Sequence, residues 1–158
     1  MKTILITGAT SGIGLAAAKK LANEKNQLIL CGRRQRKLDE ISEELSKSTN
    51  VLTLCFDVSN KNEVSRLLSN LPMDFCSIDI LINNAGNAHG LDTIQDGSLD
   101  DWDNMIDSNV KGLLYVSRII IPKMIEKKGG HIINIGSLAG REVYEKGNIY
   151  CATKHAVN

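Results

Sequence analysis

Tyr150 and Lys154 stand four residues apart in Tyr150-Cys151-Ala152-Thr153-Lys154, and on a helix that spacing puts both side chains on one face. The pair suits proton transfer to or from an alcohol oxygen. A tyrosine hydroxyl in water ionises near 10, roughly three units too high for neutral pH, and closing that gap takes about 4 kcal/mol of differential stabilisation. An ammonium beside the ring favours the phenolate and supplies part of it. Ser137, thirteen residues before Tyr150, follows a short apolar run. Its hydroxyl can hydrogen-bond a substrate oxygen and stabilise charge developing there.

A second group of residues suits phosphate binding. Thr7-Gly8-Ala9-Thr10-Ser11-Gly12-Ile13-Gly14 lies between an apolar run and a helical pattern. Such a turn lets the backbone approach a pyrophosphate, and the helix N-terminus adds unpaired N–H groups and a favourable dipole. Gly8 permits the tight turn, Gly12 the close approach and Gly14 the packing of helix on strand. Thr10, Ser11 and Ile13, the other residues of the loop, are expected to share in that binding. Alone, the pattern is an ordinary tight turn; between a strand and a helix it reads as a dinucleotide site. At the end of the second apolar run, an acidic residue would accept from a ribose 2′-hydroxyl and repel a 2′-phosphate. The chain has Cys31-Gly32-Arg33-Arg34 there. Arg33 or Arg34 can form charge-assisted bonds to a 2′-phosphate, so NADP is expected over NAD. The bland alternative is two arginines at a solvated helix start.

Five short apolar runs must position these residues: Ile4–Ile6, Leu28–Cys31, Val51–Phe56, Ile80–Ile82 and His131–Ile135. Each is rich in branched residues and closed by Gly, Asp or Asn, as expected of a strand buried on both faces. Helical patterns lie between them. Residues 12–24 carry Ile13, Ala16, Ala17 and Leu21 at helical spacing; residues 35–47 carry Leu38, Ile41 and Leu45; residues 60–71 carry Val64, Leu67, Leu68 and Leu71. A long helix is expected from Ser98, where Ser98-x-x-Asp101 resembles a capping arrangement, to about Glu126, with Pro122 set to kink or break it. Residues 148–158 read as the start of one more helix, and 86–98 as a loop. Strands alternating with helices specify βαβ units and a parallel sheet, for which a doubly wound, Rossmann-like α/β fold is the default. One domain over residues 1–158 is expected. Such sheets normally carry six or seven strands, so the fold is expected to be truncated after the fifth, with C-terminal strands and a substrate loop absent.

The composition excludes several other classes. Lysine and arginine total 19 against 18 acidic residues, too little basic excess for a nucleic-acid or membrane-surface protein. No apolar run approaches the roughly 18 residues that span a bilayer. The four cysteines, Cys31, Cys55, Cys76 and Cys151, form no Cys-x-x-Cys pair and are expected as reduced thiols packed like small hydrophobes, which fits the cytoplasm. His89, His131 and His155 have no metal-like spacing, and no metal is expected.

The loop spacing Gly-x-x-x-Gly-x-Gly, the segment Asn83-Asn84-Ala85-Gly86 and the set Asn109, Ser137, Tyr150 and Lys154 together resemble the short-chain dehydrogenase/reductase family over essentially the whole chain. The resemblance implies an oxidoreductase in which those four residues form the catalytic tetrad. Asn109, within the long helix, would help hold a water for proton relay, and Lys154 would also bind the nicotinamide ribose. Asp57 and the backbone of Val58 would hold the adenine. Asn83 would brace the sheet, Asn84 would lie near the cofactor ribose, and His89 would sit in a loop bordering the substrate pocket. Gly32–Leu38, Leu71-Pro72, Ile78–Leu81, Asp101–Asp107 and His131–Ser137 are similar to one branch, the NADP-dependent 3-hydroxy acid or serine/allo-threonine dehydrogenases. That branch implies small hydroxy acids as substrates and a homotetramer. Rival readings are a short-chain reductase for another carbonyl compound, or a non-catalytic NADP-binding regulatory module. An extended-type epimerase or dehydratase shares Tyr-x-x-x-Lys but usually carries Gly-x-x-Gly-x-x-Gly, which this chain lacks.

Overall fold

The computed structural model describes residues 1–158. Five strands, β1 (Lys2–Thr7), β2 (Asn26–Gly32), β3 (Asn50–Cys55), β4 (Ile80–Asn83) and β5 (His131–Asn134), form one sheet in the order β3-β2-β1-β4-β5. Every pairing is parallel. The helices are α1 (Gly12–Leu21), α2 (Gln35–Leu45), α3 (Lys61–Ser69), α4 (Leu99–Ile106), α5 (Leu113–Glu126) and α6 (Asn148–Val157). The chain builds outward from β1 to β3, then crosses back to place β4 on the other side of β1. That reversal opens a crevice at the C-terminal ends of β1 and β4, where ligands bind in sheets of this kind.

Side chains alternate across the pleat, so each central strand feeds two cores. Ile4, Ile6, Leu28 and Leu30 pack under α1 and α2 with Leu38, Ile41 and Leu45. Leu5, Ile29, Cys31 and Leu81 pack under α3 and α5 with Val64, Leu68, Val116 and Ile120. These are β1, β2 and β4, and they fit the expectation of strands covered on both faces. The edge strands do not. β3 is only half-buried and all four residues of β5 are exposed: both are edge strands, and no helix packs extensively over β5.

Other expectations are also corrected. The buried side of α1 is Gly14 and Ala18, not Ile13 and Ala16. The small residues are what let the helix approach the sheet, and Ile13 projects into the crevice instead. Pro122 does not break its helix. It lies inside α5 at an exposed position, and Arg118, whose carbonyl it cannot bond, is exposed as well. Of the cysteines, all free, Cys31 and Cys151 are buried as expected, but Cys55 closes an edge strand and Cys76 follows a surface turn, and both are exposed. The Ser98 cap does form, accepting from the Asp101 N–H at 3.3 Å. Between α4 and α5 the helix widens into a π turn over Asp107–Gly112.

Candidate functional site

The crevice is a cleft of about 640 Å³ that runs from Arg33 and Arg34 at one end to Tyr150 and Lys154 at the other. The loop after β1 forms its floor. Gly8 and Gly12 hold φ of +65° and +54°, backbone that favours glycine. A side chain at Gly8 would strike the Asn84 amide and the Ala85 backbone, whereas nothing lies within 4 Å of a Cβ at Gly12. That side of Gly12 faces open cleft. Gly14 is buried, and a side chain there would run into Asn84 and the Gly8 carbonyl.

The loop is held from below. Thr7 Oγ1 accepts from the backbone N–H groups of Asn84 and Ala85, each at 3.0 Å. The Asn84 amide donates to the carbonyls of Thr7 at 2.8 Å and Gly8 at 3.1 Å. Asn84 therefore lines the cleft with its donors committed to the loop. Asn83 points the other way, donating to Ser117 and to Asn134, both at 3.0 Å, and so ties β4 to α5 and β5.

These residues fit a dinucleotide. Helix α1 begins at Ser11 with no side-chain cap and no acid in its first turn. α3 and α4 carry both, with Asn60 and Ser98 as caps, whereas α2 and α6 lack both like α1; only α1 also follows the glycine loop after β1. The first N–H groups of α1 are left for an anion, beside a glycine with open space over it. At the far edge, Arg34 donates to the Thr10 hydroxyl at 2.8 Å, the Thr10 carbonyl at 3.2 Å and Ser11 Oγ at 3.0 Å. Arg33 pairs with Asp57 at 3.2 Å. Partial burial pushes the Asp57 carboxyl up, but the Ser59 N–H and hydroxyl and the Arg33 guanidinium outweigh it and hold Asp57 below its ordinary range. Val58, next in the chain, also lines this end.

At the other end Lys154 is buried, and its ammonium donates to the Ile135 carbonyl at 2.9 Å and stands 5.9 Å from the centre of the Tyr150 ring. Burial holds Lys154 below the usual lysine range. Ser137 follows β5, and its hydroxyl accepts from the Ala139 N–H at 3.2 Å, capping a short turn over Leu138–Gly140. Ser137 and Asn109 do not line the cleft itself. Asn109 is buried in the π turn, where its amide is taken up by protein: Oδ1 accepts from the Asn87 N–H at 2.8 Å, and Nδ2 donates to the Asn87 carbonyl at 2.9 Å and to Thr153 Oγ1 at 3.1 Å. His89 is exposed beside a smaller niche that shares Tyr150 with the cleft.

Sequence reasoning missed Asn87, Ser108 and Thr153. Asn87 and Ser108 line the cleft and bond each other at 2.9 Å. Their placement depends on the π turn, which directs the adjacent Ser108 and Asn109 to the same loop. Asn87 directly follows Asn83-Asn84-Ala85-Gly86 and Thr153 sits within Tyr-x-x-x-Lys, so proximity to those motifs was the available signal.

A five-stranded parallel sheet with an uncapped helix at its switch point, and a tyrosine–lysine pair in the same cleft, defines a dinucleotide-dependent class of enzyme fold. Residues 2–158 match the family described as short chain dehydrogenase. The chain is 44% identical over 151 residues to the NADP-dependent 3-hydroxy acid dehydrogenase of Escherichia coli K12, covering 96% of this chain and 60% of that protein. It is 45% identical over 159 residues to the NADP-dependent 3-hydroxy acid dehydrogenase of Schizosaccharomyces pombe, covering 99% and 61%. The closed form of serine dehydrogenase complexed with NADP+ superposes with a TM-score of 0.92 at 43% identity, covering 97% of this chain and 61% of that one. The chain belongs to the short chain dehydrogenase family. It spans about 60% of the length of the curated relatives it matches. No helix is long and apolar enough to cross a membrane.

Proposed function

We propose that this chain supplies the nucleotide-binding and proton-transfer parts of an NADP-dependent oxidoreductase acting on the CH–OH group of a small 3-hydroxy acid or serine-like compound, or on the corresponding carbonyl. The observation that carries the reading is the single cleft with two arginines and an uncapped helix at one end and Tyr150 with Lys154 at the other. NADP, when bound, supplies the hydride acceptor or donor. The loop from Gly8 to Gly14 holds its pyrophosphate, Arg33 and Arg34 read the 2′-phosphate, and Asp57 with Val58 borders the adenine. Tyr150 Oη takes the proton of the substrate hydroxyl in oxidation and returns it in reduction. Lys154 stabilises the deprotonated phenol by charge and reaches the ribose. Ser137 keeps its own proton free, since its one hydrogen bond is as acceptor, and can donate it to the substrate oxygen. Asn109 acts by holding the loop at Asn87. The substrate class is supported by the similarity to 3-hydroxy acid and serine dehydrogenases. We assign the working enzyme to the cytoplasm as a homotetramer, with a small molecule and neither nucleic acid nor membrane as its partner.

The test is turnover of the protein on serine, allo-threonine, other 3-hydroxy acids, sugars and steroids, with NADP(H) and NAD(H) in parallel. Turnover of small 3-hydroxy acids with NADP preferred is the expected result. Activity confined to bulky alcohols would discard the substrate class, and tight NADP binding without turnover would favour a regulatory module.

A further inference from the structure

Asn109 and Thr153 form a buried link between the loop after β4 and the helix that carries Tyr150. Both residues are 2% exposed. The orientation of the Asn109 amide is fixed by chemistry: the Asn87 N–H can only donate and the Asn87 carbonyl only accept, so Oδ1 and Nδ2 cannot be exchanged. Nδ2 therefore donates its second proton to Thr153 Oγ1, and the Thr153 hydroxyl must direct its own proton elsewhere. It donates to the Tyr150 carbonyl at 2.8 Å. The loop end is seated as well, because the Asn87 side chain bonds Ser108 at 2.9 Å. A side chain at Gly86 would come within 2.9 Å of Asn109 Oδ1. Other bonds tie α6 to the rest of the chain: Lys154 to the Ile135 carbonyl, Asn148 to the Asp92 carbonyl at an exposed position, and the C-cap Asn158 to the Gly140 carbonyl. Only the Thr153 bond joins two fully buried side chains, and only it ends on the Tyr150 backbone.

We propose that Thr153 is a positioning residue: its hydroxyl transmits the seat of the Gly86–Asn87 loop, through Asn109, to the first turn of α6 and so sets where the Tyr150 hydroxyl stands in the cleft. The proposal rests on the reading of Tyr150 as the proton-transfer group. A threonine that merely satisfied a helix carbonyl would be a local back-bond, common in helices and without consequence for a neighbouring loop. Here the same oxygen also accepts from another element, so its loss takes a partner from the buried Asn109 amide as well as from the half-buried Tyr150 carbonyl, and unlinks the loop from the helix.

Thr153→Val keeps the shape and removes both bonds, while Thr153→Ser keeps the hydroxyl. In Thr153→Val, kcat should fall ~10- to 100-fold, the size of effect that follows a displacement of about 1 Å at a reacting group, with KM and the NADPH dissociation constant changed by less than about threefold. Thr153→Ser should restore kcat to within about threefold of the parent. An activity-independent readout is thiol labelling of Cys151, which is buried in the same turn of α6, in a background of Cys55→Ser and Cys76→Ser. Labelling should quicken in Thr153→Val and not in Thr153→Ser, since it reports local opening of that turn. Thr153→Ala takes the place of the valine variant if the latter does not fold. Unchanged kcat and unchanged labelling in the hydroxyl-free variant overturn the proposal, as does a serine variant as impaired as the valine one. Retained turnover in a Tyr150→Phe control instead overturns the functional reading, and the labelling arm then still judges the link.

Discussion

The two ends of the cleft are built on opposite principles. The phosphate end is open and polar. Its arginines are exposed, their partners are hydroxyls, one backbone carbonyl and one carboxylate, and its anion-binding groups are backbone N–H donors at the start of α1. The proton-transfer end is closed. Lys154, Thr153 and Asn109 are buried, no carboxylate pairs with the ammonium, and position is set by a chain of neutral hydrogen bonds. An open end can admit and release a charged ligand, whose contacts strengthen only as water leaves. A closed end can hold a reacting hydroxyl in one place. Changes at the first should therefore register in affinity and changes at the second in rate.

The sharpest way to break that division is Tyr150→Phe. Removing the proton-transfer hydroxyl should lower kcat by at least ~10³-fold, at the upper end of what a general acid–base contributes, with NADPH affinity changed only a few-fold. Steady-state kinetics beside a fluorescence titration of NADPH checks both halves. A matching fall in affinity would show that the two ends are not separable.

Arg34→Ala comes next. Loss of a guanidinium aimed at a 2′-phosphate should weaken NADPH by ~10- to 100-fold, the equivalent of one charge-assisted bond, and leave NADH unchanged. Arg33→Ala should cost less, because Arg33 must give up a carboxylate partner to bind, whereas the partners of Arg34 are all neutral. Titrations at low and high salt should show both effects shrinking as ionic strength rises, since these groups are exposed. A loss of NADH affinity equal to that of NADPH would remove Arg34 from the 2′-phosphate role.

The same contrast explains what the sequence could reveal. The phosphate end is made from contiguous residues: a strand, a glycine turn and a helix start in Thr7–Gly14, then two arginines at the end of the next strand. Order along the chain is enough to place them together. The central strands were legible for a similar reason, as apolar runs bounded by Gly or Asn. The proton-transfer end is only half legible. Tyr150 and Lys154 share a helical face, which spacing reveals, but the Asn87–Asn109–Thr153 link joins residues 22 and 44 positions apart. Its geometry depends on a π turn that no periodicity marks. The misplaced details have the same origin. Ile13 reads as core by its apolarity, yet the packing needs glycine and alanine on that side of α1. β5 reads as central by its isoleucines, yet in this sheet it is an edge.

Two glycines sharpen the comparison within the phosphate end. An alanine at either position would be held at positive φ, which costs about 1–2 kcal/mol. Gly8→Ala should lose more stability than Gly12→Ala, because its Cβ would sit 2.9 Å from Ala85 Cα while the Cβ at Gly12 meets nothing within 4 Å. Gly12→Ala should instead show in NADPH affinity, since its methyl group occupies the open cleft. Urea midpoints and NADPH titrations of the two variants separate fold from site. Equal destabilisation without loss of affinity in Gly12→Ala would mean that no ligand approaches that face.

The smallest expected effect concerns Lys154 and tests whether the closed end carries an energetic cost that the open end does not. Burial holds the folded Lys154 below its ordinary value of 10.5. In the pH interval between its folded and unfolded titrations, the unfolded chain binds more protons than the folded one, so stability rises with pH there. Below that interval the full cost of burying the ammonium is present, offset in part by the bond to the Ile135 carbonyl; above it the lysine is neutral in both states and the cost is gone. Protein that keeps Lys154 should accordingly gain stability relative to Lys154→Met as pH is raised from neutrality toward 10.5, whichever of the two is more stable at the start. The comparison is made in a Tyr150→Phe background, which removes from the difference the phenol that Lys154 stabilises. Urea unfolding of the pair at a series of pH values measures it. A difference that stays flat would mean that the ammonium remains solvated in the folded protein, and that the closed end is held in place at no electrostatic cost.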